Sequence, residues 1–283
     1  MKKSTSTNRA LPVTSTKSGT TQLVADHVYC YTNQIVNAYF VQTDTALNEW
    51  VLVDAGMPAS GVKLLQVAEQ LFGVDHQLKA ILLTHGHFDH VGGIVSILER
   101  FPVPVYAHRL EMPYLTGQQH YPEPDASVEG GVLAKVSSIY PVEAIDISEH
   151  LHPLPADGTV PILSEWQWLH TPGHSPGHVS FYRKRDRVLL AGDAFVTVKQ
   201  DSLYRVLTQH ESVEGPPVYL TTDWEEAERS VQLLAALHPQ IAAAGHGQPL
   251  SGEALTTGLS KLAEQFQERA VPSHGRYVDE ADE

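Results

Sequence analysis

The chain has 283 residues, enough to bury a substantial core within one α/β or sandwich-type domain. Its 19 Lys and Arg against 33 Asp and Glu give a formal net charge of −14 without a basic stripe, which argues against nucleic acid and anionic membranes as partners. The single cysteine, Cys30, excludes an intrachain disulfide and a cysteine-rich zinc site, and it fits a cytoplasmic protein.

The first half of the chain is predicted to alternate short strands with helices. Residues 1–21 are rich in Ser, Thr and Lys and are expected to form a flexible leader without an apolar signal segment. The runs QLVADHVYCY, IVNAYFVQT and EWVLVDAG have the β-branched and aromatic composition of strands. Helical spacing in SGVKLLQVAEQLFG predicts a helix ending at Gly73, followed by the strand KAILLT and a helix in VGGIVSILERF.

The second half is predicted to repeat this alternation after an irregular segment. Residues 110–145 mix Pro, Gly and Tyr and are interpreted as a lid or insertion. The strands VPILSEWQWLHT, HVSFYRKRD and RVLLAGD precede the helix TDWEEAERSVQLLAALHP, with Thr222 or Asp223 as its N-cap. The strand IAAAG and the helix GEALTTGLSKLAEQFQERA complete a single domain over residues 22–272, and residues 273–283 form a tail. This order favours helices flanking paired sheets.

The stretch THGHFDHVGG, Thr84 to Gly93, directly follows the predicted strand KAILLT and concentrates groups that bind metals. The two imidazoles of an H-x-H pair leave an extended backbone on the same side and can converge on one cation. Asp89 and His90 come after a bend and can serve a second cation. Imidazole and carboxylate suit zinc, iron, manganese or cobalt.

Three further predicted strands end in metal-binding residue types. His174 lies in a turn rich in Pro and Gly, Asp193 follows the strand RVLLAG, and His246 stands between two glycines after IAAA. A carboxylate has two oxygens and can bridge two metals, and small neighbours allow a close approach of the backbone. Four strand ends of this kind are hard to explain by packing alone.

The ordered set HxHxDH, PGH, GD and GH, preceded by VDAG, resembles the metallo-β-lactamase-fold hydrolase superfamily over roughly residues 22–272. The stretches PYLTG, HTPGHSPGHVSFY, AGDAFVTVKQ and AGHGQP are similar to its bacterial glyoxalase-II-like and lactonase-like branch. The resemblance implies an α/β (α+β) fold, an αββα sandwich of two mixed β-sheets flanked by helices.

The same resemblance implies a complete dinuclear site. Its ligands would be His85, His87 and His174 for the first metal, Asp89, His90 and His246 for the second, and Asp193 as the bridge. Asp54 would support the ligand loops by hydrogen bonds rather than bind metal. His170 and His178, four residues before and after His174, are expected to stay outside the site, and His150 and His152 are interpreted as surface residues.

The resemblance implies two divalent metal ions, with zinc preferred and iron, manganese or cobalt as alternatives. A metal-bridging hydroxide would attack the C=O or P=O group of a small-molecule substrate. Asp89 and Asp193 are the expected catalytic residues, and Asp89 could pass the proton to the leaving group. No GxSxG or Walker A motif offers a competing chemistry.

Among possible substrates, a lactone or carboxylic ester is preferred. The segment with Met112, Tyr114, Leu115 and Tyr121 suits an apolar acyl chain. Acyl-homoserine lactonases generally have a tyrosine three residues after the bridging Asp, where this chain has Val196. The residues that could supply a hydroxyl instead are Tyr114, Tyr121 and Tyr204.

Other functions remain open on the sequence. A phosphotriester or phosphodiester substrate would call for a cation such as Arg109, Lys199 or Arg205. Thioester cleavage of the glyoxalase II type and promiscuous β-lactam hydrolysis are further alternatives. A binding module without catalysis is disfavoured because all seven ligand positions are filled. The sequence also leaves a homo-oligomer open.

Overall fold

The computed structural model describes residues 15–128, 145–198 and 211–278. Seven strands of the first half form one mixed sheet in chain order: β1 Thr21–Ala25, β2 Val28–Asn33, β3 Val36–Asp44, β4 Glu49–Val53, β5 Gln77–Leu82, β6 Val105–Ala107 and β7 Leu151–Pro153. Strands β1 to β4 pair antiparallel, whereas β4 to β7 pair parallel. The parallel part requires crossovers, and helices provide the first two.

The helices that follow β4 and β5 pack on the outer face of this sheet. Helix α1, Gly61–Phe72, ends at Gly73 with a φ of 86°, as the sequence predicts. Two short helices, α2 Phe88–Val91 and α3 Ile94–Arg100, connect β5 to β6, and α4, Met112–Leu115, follows β6. His85 and His87 of the predicted histidine cluster therefore lie between the end of β5 and the start of α2, and Asp89 and His90 lie in α2 itself.

The second half of the chain forms another mixed sheet, of five strands. Its strands are β8 Trp166–His170, β9 Val179–Arg183, β10 Val188–Gly192, β13 Ile241–Ala244 and β14 Leu250–Ser251, and their order in the sheet is β14-β13-β10-β9-β8. Two further strands, β11 Val196–Val198 and β12 Glu211–Glu214, pair with each other outside this sheet. Helices α5 Trp224–Ala236, α6 Gly252–Glu264 and α7 Phe266–Arg269 cover its outer face. The side chain of Asp223 caps α5 by accepting from the Glu226 N–H at 2.9 Å.

Alternation along the strands assigns side chains to separate layers. Along β4, Trp50 and Leu52 pack with the helices of the first half, whereas Val51 and Val53 face the second sheet. Phe181 of β9 belongs to the layer between the two sheets. The expected αββα sandwich of two mixed sheets is confirmed, and the site lies at one edge of it.

Three predicted elements differ from the structure. The run QLVADHVYCY is broken by a turn at Asp26 and His27, where His27 has a φ of 61°. The helix predicted in VGGIVSILERF begins earlier, at Phe88, and is interrupted at Gly92 and Gly93. Of the run VPILSEWQWLHT, only Trp166–His170 is a strand.

The predicted leader extends too far into the chain. Ser15 is buried and its N–H donates to the Gln34 carbonyl at 3.1 Å, while the Gly19 N–H donates to the Thr32 carbonyl at 2.8 Å. Residues 15–21 are therefore part of the folded domain rather than of a leader. Residues 1–14, the rest of the predicted leader, lie outside the described residues, so their flexibility stays a prediction.

The two ends of the segment predicted as a lid are anchored. Leu115 is fully buried in the core between the first sheet and its helices, so it is a packing residue and not part of a lid. The first residues of the predicted tail contact the same segment, since the Tyr277 hydroxyl donates to the Glu123 carbonyl at 2.9 Å. Residues 129–144, the rest of the predicted lid, lie outside the described residues.

In the described part of the chain, none of the helices has the length and apolar character needed to cross a membrane.

Candidate metal centre

The predicted ligands meet at one edge of the sandwich because the segments that carry them all follow strand ends. His85 and His87 follow β5, Asp89 and His90 lie in α2, His174 lies between β8 and β9, Asp193 follows β10 and His246 follows β13. Strands β10 and β13 are parallel neighbours, so the residues after them reach the same edge. All seven side chains are buried.

The first group consists of His85, His87 and His174. Each offers one ring nitrogen, and these atoms lie within 4.8 Å of one another. The closest pair, His87 Nδ1 and His174 Nε2, is separated by 3.0 Å. Three converging imidazoles of this kind are a usual set of zinc ligands.

The second group consists of Asp89, His90 and His246, whose ligand atoms also lie within 4.8 Å of one another. The Asp89 Oδ2 atom is 3.4 Å from His246 Nε2 and 3.9 Å from His90 Nε2. The two imidazoles and one carboxylate therefore face a common point.

Asp193 lies between the two groups. Its Oδ2 atom is 3.5 Å from His174 Nε2 in the first group. The same atom is 3.5 Å from His90 Nε2 and 3.2 Å from His246 Nε2 in the second group. The Asp193 carboxylate thus approaches ring nitrogens of both groups, as a carboxylate that bridged two metals would.

Unsatisfied polar atoms show that these residues fit cations. His85 Nε2, His90 Nε2, Asp89 Oδ1 and Asp193 Oδ1 are buried and make no hydrogen bond within the described structure. Such atoms are costly unless a partner compensates for the water they have lost. A cation at each group would compensate for them, so the donor set fits two divalent ions.

The two groups differ in protonation. Burial lowers the pKa of His87 to about 4 and lowers the pKa values of His85 and His174 well below the usual value. The first group is therefore neutral at pH 7, as metal coordination requires.

The two histidines of the second group have raised rather than lowered pKa values. Burial disfavours charge on His246, but the Asp193 and Asp89 carboxylates outweigh it and raise the pKa of His246 to about 10. The same balance raises the pKa of His90 well above its usual value. These carboxylates therefore favour positive charge at this point, which a divalent ion would also supply.

Asp54 supports the second group by hydrogen bonds, in the place that the resemblance implies. Its backbone φ of 60° lies in the left-handed region, which Asp tolerates better than most residues. Its carboxylate accepts from the N–H and hydroxyl of Thr84, each at 2.8 Å, and from His90 Nδ1 at 2.8 Å. These bonds orient the His90 ring so that Nε2 points to the ligand cluster.

His178 contacts the centre without being available as a ligand. Its Nε2 accepts from the Asp193 N–H at 2.8 Å, and its Nδ1 donates to the Thr171 carbonyl at 3.0 Å. Both ring nitrogens are thus engaged, and the ring holds the backbone of the bridging residue. His170 is exposed and its Nε2 donates to the Pro176 carbonyl at 2.9 Å.

The other predicted extra residues lie apart from the two groups. His152 is exposed on β7, with its ring 5.6 Å from that of Tyr106. Arg109 is exposed, whereas Val196 is buried in β11. Tyr204, Lys199 and Arg205 lie outside the described residues, so their predicted roles stay predictions.

Tyr121 contacts the first group through its ring, and its hydroxyl is engaged elsewhere. The ring centroid lies 4.4 Å from that of His87, and the ring of Tyr114 stacks on it at 4.0 Å. The hydroxyl donates to Glu111 and accepts from the Gly86 N–H at 2.9 Å. Tyr121 therefore presents its ring, rather than its hydroxyl, beside the ligands.

Glu111 is the main site feature that sequence reasoning did not find. It stands in a segment with no metal motif, where a charged residue is normally exposed. Its carboxylate is nevertheless fully buried and accepts hydrogen bonds from loops that carry His85, His87 and His174. The only sequence signal is its place three residues after His108, which by itself indicates little.

His108 is expected to make the stability of the protein depend on pH. Its ring stacks on that of His170, with the ring centroids 4.2 Å apart. Burial, aided by His170 and Arg109, lowers the pKa of His108 to about 4. Since an unfolded histidine has a pKa of about 6.5, the unfolded chain takes up a proton first as the pH falls. Wild type is therefore expected to lose stability between about pH 6.5 and pH 4.

The variant His108→Gln cannot take up this proton, so its unfolding free energy should fall less over the same range. Urea unfolding of the metal-free proteins at pH 7 and pH 5 measures the difference. Equal losses in both proteins would show that His108 does not contribute to the pH dependence.

Two packed sheets, with two buried groups of possible metal ligands that both approach Asp193, agree with a metal-dependent hydrolase. The chain belongs to the metallo-β-lactamase superfamily, whose family model matches residues 31–246. The family, fold and enzyme class expected from the sequence are thereby confirmed.

Individual relatives agree with this assignment. The chain is 47% identical over 256 residues to the probable metallo-hydrolase YflN of Bacillus subtilis (strain 168), covering 90% of this chain and 97% of that protein. The solved structure of the BLEG-1 B3 metallo-β-lactamase is 25% identical with a TM-score of 0.55, covering 81% of this chain and 91% of BLEG-1. The solved structure of TTHA1623 in a di-iron-bound form is 28% identical with a TM-score of 0.50, and the match covers 81% of this chain and 92% of TTHA1623.

Proposed function

We propose that this hydrolase holds two divalent metals and cleaves lactones or carboxylic esters. The observation that carries the proposal is the position of Asp193 Oδ2 between the two ligand groups, with the apolar ring of Tyr121 beside His87. A lactone brings a carbonyl to be polarised and an apolar chain to be accommodated. The rings of Tyr114 and Tyr121 stack on each other beside His87 and are the proposed substrate contacts.

Two divalent ions held by these seven residues would lower the pKa of water to about 7 and polarise the scissile carbonyl. The chain's own residues would position the reactants and transfer protons. Asp193 and Asp89 are the proposed catalytic residues. Asp89, whose Oδ2 is 3.4 Å from His246 Nε2, would take the proton of the hydroxide after its attack and pass it to the leaving alkoxide.

Zinc is the proposed metal, and all seven proposed ligands are imidazole or carboxylate donors, which zinc accepts. Iron fits the same donors, and the structure of TTHA1623 is of a di-iron-bound form. The expected cytoplasmic location, the absence of nucleic acid and membrane partners, and any homo-oligomer stay predictions.

The test is proton release by zinc-reconstituted protein acting on N-decanoyl-homoserine lactone. We expect saturable turnover with a kcat/KM of at least about 10⁴ M⁻¹ s⁻¹, the lower range for enzymes on their own substrates. Metal-depleted protein, restored afterwards by zinc, is the control. A phosphotriester, a glutathione thioester and a cephalosporin are assayed in parallel.

A protein that holds two metals per chain and leaves the lactone intact would contradict the lactonase proposal. Turnover of another member of the panel would then identify the phosphoester, thioester or β-lactam alternative. Binding of fewer than two metals would contradict the dinuclear centre itself.

A further inference from the structure

Glu111 is a fully buried carboxylate whose two oxygens are both used as acceptors. Oε2 accepts from the Gly86 N–H at 2.9 Å and from the Tyr121 hydroxyl. Oε1 accepts from the Ser175 hydroxyl at 2.8 Å and from the Gly177 N–H at 2.8 Å. Four donors on one buried carboxylate indicate an ionised group held in a single orientation.

These donors belong to the two loops that carry the first ligand group. Gly86 lies between His85 and His87, and Ser175 directly follows His174. Glu111 thus joins two segments that are far apart in the sequence, one after β5 and one before β9. The Tyr121 ring packs on the His87 ring with centroids 4.4 Å apart. The hydrogen bond from the Tyr121 hydroxyl to Glu111 therefore also helps to hold His87 in place.

The backbone around Glu111 is shaped for this close contact. A Cβ atom added to Gly177 would lie 2.7 Å from Glu111 Cγ, and one added to Gly86 would lie 2.5 Å from the Tyr121 hydroxyl. Both distances are shorter than real Cβ contacts allow. The loops therefore reach the carboxylate only with glycine at these positions.

The second ligand group is held by other partners. His90 Nδ1 donates to Asp54 at 2.8 Å, and His246 Nδ1 donates to the Ile35 carbonyl at 2.9 Å. The described hydrogen bonds of Glu111 go to Gly86 and Tyr121 beside His87 and to Ser175 and Gly177 after His174, and none goes to a residue of α2 or to the segment of His246. Asp54 also bears on the first group, because the Thr84 hydroxyl that donates to it lies 3.0 Å from His85 Nδ1, whereas the hydrogen bonds of Glu111 are made beside His87 and His174 alone.

We propose that Glu111 is a positioning residue that sets the metal affinity of the group His85, His87 and His174, and leaves the affinity of the group Asp89, His90 and His246 nearly unchanged. This inference rests on the proposed dinuclear centre. The physical reason is that ligand orientation depends on the hydrogen bonds behind the ligands, and loss of such a bond typically costs about 10-fold to 100-fold in metal affinity.

The test is Glu111→Gln in the full chain. Glutamine keeps the volume but has one acceptor oxygen, so its amide nitrogen must face one pair of donors and one ligand loop loses its support. Cobalt(II) and zinc are titrated against a chromophoric chelator, and the cobalt absorption spectrum follows each equivalent. His87→Ala and His246→Ala serve as references, because each removes a ligand from one group and so identifies its equivalent.

His87→Ala identifies the metal equivalent that binds to the first group. We expect Glu111→Gln to raise the dissociation constant of this equivalent by about 10-fold to 100-fold, and to change that of the other equivalent by less than about 2-fold. Ser175→Ala removes one donor and keeps the carboxylate, so it should weaken the same equivalent by a smaller factor. If Glu111→Gln does not fold, Ser175→Ala decides the question alone. Glu99→Gln, an exposed glutamate on α3, is the matched control and should leave both equivalents unchanged.

Equal weakening of both equivalents would show that Glu111 supports the fold in general, and no weakening would show that it supports neither group. Either result overturns the inference while wild type still binds two metals. Wild type that binds fewer than two metals would overturn the proposed function as well, so the two failures are distinguishable.

Discussion

Replacing Asp193 by alanine is expected to lower kcat/KM by at least about 10³-fold and to reduce the zinc content below two per chain. Asp193 Oδ2 lies within 3.5 Å of ligand nitrogens in both groups, so its removal takes a shared negative charge from each proposed metal position. Several kcal/mol of stabilisation of the reacting charge would be lost with it, and each 1.36 kcal/mol is a factor of ten in rate. Metal analysis together with lactone kinetics measures both effects.

Asp75→Ala is the matched control for this experiment. Asp75 is exposed in the turn before β5, so its removal changes the net charge by the same amount without touching the site. An Asp193→Ala protein that kept two zinc ions and wild-type turnover would show that Asp193 does not bridge the two groups.

Gly245→Ala is the second change for which we expect a large effect. A Cβ at this position would lie 2.0 Å from Asp193 Oδ1 and 2.7 Å from His90 Cε1. The backbone cannot move away easily, because the Gly245 N–H donates to the Gly192 carbonyl at 2.7 Å and its carbonyl accepts from Asn37 at 2.8 Å. One or both side chains must therefore shift.

A displacement of about 1 Å at a catalytic site can cost about 100-fold in rate, and we expect at least this loss with weaker binding of the second metal. Kinetics and zinc titration measure it. The control is Gly252→Ala, where φ is 64° and no atom lies within 4 Å of the added Cβ. That variant should lose about 1–2 kcal/mol of stability from backbone strain and keep its metals.

If Gly245→Ala kept the metal content and activity of the wild type, the site would have space for a Cβ atom next to Asp193 and His90, contrary to the structure. The same losses in both glycine variants would point to a general loss of folding. Only a selective loss in Gly245→Ala agrees with a tight approach of the backbone to the ligands.

The elements best predicted from the sequence are those whose structure depends on their own residues. Helix α1 and helix α5 have apolar faces at helical spacing and recognisable ends at Gly73 and Asp223. The interruption between α2 and α3 was not predicted, because its cause lies elsewhere in the chain. The Gly92 N–H donates to the Gly56 carbonyl at 2.8 Å and the Gly93 N–H donates to the Ala55 carbonyl at 3.0 Å, partners that only the folded chain brings to these positions.

The same distinction holds at the site. The seven ligand positions were predicted because imidazole and carboxylate side chains stand at strand ends in a recognisable order, and the structure brings them together. The support by Glu111 and the engagement of His178 with the Asp193 N–H were not predicted. Neither residue differs in type or spacing from an ordinary polar residue.

By itself, the sequence determined the superfamily, the sandwich fold and the set of groups able to hold metals, because these depend on residue type and order. Only the tertiary structure decided that the Tyr121 hydroxyl faces Glu111, that Glu111 supports the loops of His87 and His174, and that His178 holds the Asp193 N–H. The reason is that a hydrogen bond or metal contact requires atoms to meet within a few tenths of an ångström. Those distances are set by packing between segments that are far apart in the chain.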